Sequence, residues 1–117
     1  MKRRIALAAL LLPWSRAEAI PSEATGIATV YAARFAGRRT ASGEVYDPAR
    51  LTAAHPFAPF GSRVHVTCRA TGKAVVVRIN DRCGAQRIAI DLSAAAARQI
   101  GMMQPGVRQV RLRPVAT

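Results

Sequence analysis

A chain of 117 residues and 12.5 kDa has room for one domain and little else. Hydrophobic residues make up 50% of it, many of them Ala, but aromatics only 5%, so the core must be small, built mainly from Val, Ile and Leu. Lys+Arg 18 against Asp+Glu 6, a net +12 spread along the chain, implies an anionic partner, and no apolar run approaches the ~18 residues of a membrane span; a multidomain enzyme, a channel and a disordered tail are excluded.

In chain order, Lys2, Arg3 and Arg4 precede the apolar stretch Ile5 to Leu12, and Ala17-Glu18-Ala19 follows. A basic start, a short apolar run and a small-x-small site are the layout of a secretory signal, expected over residues 1–19. Pro13 and the shortness of the run disfavour a buried helix. No Cys lies near the cleavage site, which disfavours a lipid anchor, so a periplasmic or secreted location is expected. Without Lys2, Arg3, Arg4, Arg16 and Glu18, the chain keeps 14 basic and 5 acidic residues, a net +9. Nucleic acid is the usual first reading of such a balance. For an exported chain, a wall polymer carrying carboxylates comes first.

Residues 20–25 read as a short lead, and 26–115 as the domain. Gly26 to Tyr31 is a candidate strand and Leu51 to His55 a shorter one. Arg63 to Cys68 alternates, with Val64, Val66 and Cys68 on one face and His65 and Thr67 on the other. Thr71 and Gly72 form a turn, and Ala74 to Asn80 returns antiparallel with Cys68 opposite Val75. Arg87 to Asp91 and Val107 to Arg113 are further strands. One helix is expected over Ser93 to Ile100: Ser93 is a good N-cap, Ala94 to Ala97 are strong helix formers, and Gly101 stops it. Leu92, Ala96 and Ile100 share its inner side. Asp91 sits where a helix start favours negative charge and reads as structural. Six short strands and one helix suggest a small closed barrel.

Beyond Glu18 the acidic residues are Glu23, Glu44, Asp47, Asp81 and Asp91. Glu44 ends the small-residue loop Thr40-Ala41-Ser42-Gly43-Glu44, His55 ends a strand running into Pro56, and Asp81 follows the hairpin strand. A barrel that converges these three strand ends builds an acid/base site. Each also has a plainer reading: Glu44 as a solvated carboxylate, His55 as a structural hydrogen-bonding histidine, Asp81 as the ion-pair partner of Arg78 or Arg82. The Cys and His residues lack recurring metal-ligand spacing, so no metal is expected, and no cofactor motif is present.

Gly37 to Glu44 (GRRTASGE), Leu51 to His55 (LTAAH), Pro59 to Val64 (PFGSRV), Val75 to Arg82 (VVVRINDR) and Ile90-Asp91-Leu92-Ser93 together resemble the rare-lipoprotein-A-like family, from about Gly26 to Arg113. The resemblance implies a double-psi β-barrel, mainly β and six-stranded, as also seen in barwin-like proteins and expansins. It implies lytic transglycosylase action on bacterial peptidoglycan, and it carries the family's acidic, histidine and aspartate positions onto Glu44, His55 and Asp81. Val30 stands where the family usually carries Trp, and Cys83-Gly84-Ala85 where it carries Gly-Pro-Phe.

Such an enzyme cleaves the bond between N-acetylmuramic acid and N-acetylglucosamine with the muramyl C6 hydroxyl as nucleophile. A single carboxyl therefore suffices as acid and then base. Asp81 is expected in that role, with partial burial to raise its pKa, and Glu44 and His55 orient the sugar and stabilise charge. Arg82, Arg78, Tyr31 and Thr40 are expected substrate contacts. Peptidoglycan glycan strands are the expected partner, with no nucleic acid, no transmembrane anchor and a monomeric state. The alternatives are a non-catalytic, expansin-like wall-binding or wall-loosening module and a cationic protein acting on host or competitor surfaces. Export favours a Cys68–Cys83 disulfide, but the hairpin register sets the two cysteines far apart, so free thiols are expected, Cys68 in the core and Cys83 beside the groove.

Overall fold

A computed structural model describes residues 19–84 and 87–116. The expected signal lies outside these residues except for Ala19, as do Ala85 and Gln86. Six strands close into a barrel: β1 (Ala24–Val30), β2 (Thr52–Ala54), β3 (Arg63–Cys68), β4 (Ala74–Asp81), β5 (Ile88–Leu92) and β6 (Val107–Pro114). Their order around the barrel is β1-β5-β2-β4-β3-β6. The pairs β1/β5 and β2/β4 are parallel and the others antiparallel, consistent with the double-psi arrangement.

The alternation read along the strands sorts inside from outside. Val64, Val66, Cys68, Val75, Val77, Ile79, Ile90, Leu92, Val110 and Leu112 are buried, with Ala28 and Ala53 filling the narrow interior. The β3–β4 hairpin departs from the expected register by two residues. Val66, not Cys68, lies opposite Val75, and the turn spans Arg69 to Gly72, with Gly72 N–H donating to the Cys68 carbonyl at 2.8 Å. A slip of two keeps every side chain on its face. Cys68 and Cys83 are both free, one in the core and the other half-buried.

The helix α1 (Ala94–Gln99) begins at Ser93, whose hydroxyl accepts from Ala96 N–H, and ends before Gly101 at φ +75°. It packs on β4 and β5 and, with Leu92, Ala96 and Ile100 fully buried, adds to the core. Asp91 takes no part in the cap.

Each parallel pair carries a bulge. Along β4, Ala53 pairs with Ile79 but Ala54 with Asp81, leaving Asn80 as the extra residue. Along β5, Ile27 pairs with Ile88 but Ala28 with Ile90, leaving Ala89 extra. Gly26 makes the second bulge possible: a Cβ there would lie 2.5 Å from the Ala89 Cβ. Bulges re-aim the side chains beside them, and here those are Asn80, Asp81 and, two residues beyond the β5 bulge, Asp91.

Candidate active site

The ends of β1, β5, β2 and β4 lie side by side. Thr29 pairs with Asp91, Asp91 with Ala54, and Ala54 with Asp81, so two carboxylates flank one small residue in a single row. At strand spacings near 4.8 Å, their Cα atoms stand about 10 Å apart. The Asp81 carboxylate is half-buried and held by three donors: Tyr31 O–H to Oδ2 at 2.5 Å, and the Ala41 and Arg82 backbone N–H groups to Oδ1, each at 2.8 Å. Neither flanking arginine pairs with it. Arg78 turns to Glu44, while Arg82 donates to the Ala58 carbonyl at 2.7 Å and lies over the Phe60 ring.

Asp91, read from sequence as structural, belongs to this cluster and accepts from the Thr29 hydroxyl at 2.8 Å. Burial raises its pKa, the Thr29 bond works against the rise, and the Asp81 charge adds to it. Tyr31 stacks on buried Tyr46 with ring centroids 4.2 Å apart, and its own burial, with the Asp81 charge, pushes its pKa upward. The phenol therefore keeps its proton as a donor. Cys83 donates to the Ala54 carbonyl, and burial, with Asp91 and Asp81 nearby, pushes its thiol up to about 11.

Glu44 forms the wall of an adjoining cleft of about 350 Å³, lined also by Val45, Asp47, Arg50, Thr52, Arg78 and Asn80. Both Glu44 carboxylate oxygens accept from Arg78 at 2.9 Å, and Oε1 also accepts from Asn80 Nδ2 at 3.0 Å. Hydrogen bonds from Arg78 first, then Asn80, bring its pKa down to about 2, so Glu44 is a fixed anion and not a proton donor at neutral pH. Asn80 Oδ1 is buried without a partner among the described residues, an acceptor unused by the protein. The loop between Glu44 and Asp81's donor Ala41 is tight. The Thr40 hydroxyl bonds Ser42 Oγ and the Glu44 carbonyl, and Gly43 takes φ +94°. Thr40 thus shapes the loop and has its hydroxyl engaged there.

His55 is buried, and its Nδ1 accepts from the Phe57 and Ala58 N–H groups at 3.1 and 3.0 Å, which puts the ring hydrogen on Nε2. These bonds fix the ring on the chain that follows β2, and the strand abuts Asp81 through His55 N–H and the Asp81 carbonyl. Burial, then the Arg82 charge, lower its pKa from 6.5 to about 4. A folded pKa below the unfolded one contributes stability that is full above about pH 6.5 and lost as pH falls towards 4. We expect melting temperature to fall across that window, by the equivalent of at most about 3 kcal/mol. His55→Asn, which keeps an acceptor at the Nδ1 position, should flatten the slope relative to wild type. Parallel slopes in the two proteins would assign the acid sensitivity elsewhere.

Sequence reasoning therefore located Glu44, Asp81, Tyr31 and Arg78 in one region, and missed Asp91, Asn80 and Tyr46. The scarcity of acids was a signal for Asp91. Nothing in the sequence marked Asn80, whose placement depends on the bulge. Among the described residues no three His, Cys, Asp or Glu side chains gather as a metal site.

A family model described as lytic transglycolase matches residues 23–112. A Nostoc sp. protein named "Probable endolytic peptidoglycan transglycosylase RlpA" is 49% identical over 104 residues, covering 86% of this chain and 28% of its own length. The Haemophilus influenzae "Endolytic peptidoglycan transglycosylase RlpA" is 46% identical over 88 residues, 74% of this chain and 31% of the relative. The chain thus spans under a third of the length of these two relatives. Among solved structures, a Streptomyces papain inhibitor superposes with a TM-score of 0.67 at 26% identity, covering 83% of this chain and 97% of that one. A Clavibacter michiganensis expansin, at 22% identity and a TM-score of 0.66 over 80% of this chain and 50% of its own, shares the fold.

Proposed function

Because this chain belongs to the lytic transglycolase family, we propose that it is an exported endolytic transglycosylase acting on peptidoglycan glycan strands in cell-wall remodelling. The observation that carries the reading is the Asp81–Ala54–Asp91 row, which sets a half-buried carboxyl, with no cation paired to it among the described residues, at the adjoining strand ends.

In the reaction, the Asp81 carboxyl gives its proton to the glycosidic oxygen as the bond from muramyl C1 to that oxygen breaks. The resulting carboxylate then takes the proton of the C6 hydroxyl as O6 bonds C1 and closes the 1,6-anhydro ring. One group serves both steps and is regenerated, and no water is consumed. Tyr31 and the backbone N–H groups of Ala41 and Arg82 hold the carboxyl in position. Glu44, held by Arg78 and Asn80, orients the sugar from the cleft wall.

Mass spectrometry of sacculi digested by the purified protein tests this. Release of muropeptides with 1,6-anhydro ends is the expected result. Wall binding with no products would replace the enzyme with a binding or loosening module.

A further inference from the structure

We infer that the outer face of β4, β3 and β6 is a cationic track, continuous with the Glu44 cleft, that holds the carboxylates of the glycan strand beyond the site of cleavage. The inference rests on the proposed glycan substrate. It begins with the register. Arg63 of β3 lies directly opposite Arg78 of β4, and His65 of β3 lies opposite Arg113 of β6. Arg111 and Arg113 share the outward face of β6, where Val110 and Leu112 point inward. Arg78 is common to cleft and track, because its guanidinium grips Glu44 in the cleft wall.

Arginines directly opposite each other weaken a sheet, and here the cost is only partly offset. Glu44 pairs with Arg78 and Glu23 with Arg111, whereas Arg63 and Arg113 have no carboxylate partner among the described residues. Two uncompensated guanidiniums therefore remain, one and two strands away from Arg78, about 5 and 10 Å across the sheet. A glycan strand leaving the cleft over β3 meets them within the length of a disaccharide. On a strand stripped of stem peptides the muramyl lactyl ether supplies one carboxylate per disaccharide, and where a stem peptide amidates it the peptide's own carboxylates stand in its place; an arginine fork binds either in bidentate fashion.

The test is sedimentation with native sacculi and with sacculi whose carboxyls are capped as amides, at several salt concentrations. The double variant Arg63→Gln/Arg113→Gln is compared with Arg87→Gln/Arg98→Gln, which removes the same charge elsewhere, and melting temperatures check that each is folded. We expect the first pair to weaken binding to native sacculi by about five- to twentyfold and to flatten its salt dependence, as lost exposed ion pairs should. The second pair should stay within about twofold of wild type, and capping should bring wild type down to the first variant's level. Equal losses in both double variants would reduce the track to net charge. Wild-type binding unaffected by capping, or displaced by polyphosphate but not by carboxylate-bearing glycan, would overturn it too. Anhydro-end release from short soluble glycans, measured on the same samples, reports the catalytic reading separately. An inactive wild type that still binds through Arg63 and Arg113 keeps the track and removes the enzyme.

Discussion

Asp81→Asn should abolish release of anhydro ends, by on the order of 10²–10⁴-fold, while leaving melting temperature and wall binding close to wild type. The asymmetry follows from how the carboxylate is held. Oδ1 takes both backbone N–H bonds, from Ala41 and Arg82, and Oδ2 takes the Tyr31 hydroxyl. An asparagine can keep its carbonyl oxygen on the two N–H groups and turn its amide towards Tyr31, whose oxygen can accept as well as donate. The geometry survives, but an amide cannot carry a proton from O6 to the leaving oxygen. Tyr31→Phe is the informative companion. It removes one donor without touching the proton carrier, so it should lower kcat far less than Asp81→Asn and leave KM nearly unchanged. Near-wild-type turnover in Asp81→Asn would move the proton transfer to another group, with Asp91→Asn the next variant to assay on the same sacculi.

The other large effect is on stability. Ile79→Ala should cost about 2–5 kcal/mol. Ile79 is fully buried on β4, and its backbone bonds both Gly61 and Ser62, which tie the Pro59–Ser62 segment to the barrel. A barrel interior lined largely by Val and Ala has few long side chains that can swing into the vacated space, so the cavity term should persist. For a domain of this size, melting temperature should fall by on the order of 10–30 °C. Because Ile79 faces the core, molecules that remain folded at low temperature should keep their turnover. A drop of only a few degrees would mean that the core closes around the loss.

The sequence by itself determined the elements and their faces. Alternating Val and Ile residues can bury one side only, so the strands at Arg63–Cys68 and Ala74–Asp81 are legible to within a residue, and even a slip of two in the hairpin turn leaves Cys68 and Val75 inside. Ser93 and Gly101 bracket the helix for equally local reasons, a side-chain cap and a positive φ. The resemblance carried by the loop and strand-end motifs located Glu44, His55 and Asp81. Their chemistry was a different matter. Whether Asp81 meets an arginine and whether Glu44 can hold a proton depend on partners dozens of residues away, across strand pairs that no local pattern encodes. The bulge at Asn80 and the row joining Asp81 to Asp91 through Ala54 exist only once two parallel strand pairs are closed into one barrel. Propensity and periodicity act over a few residues, whereas the charge on a carboxyl is decided by whatever the closed barrel brings within a few ångströms of it.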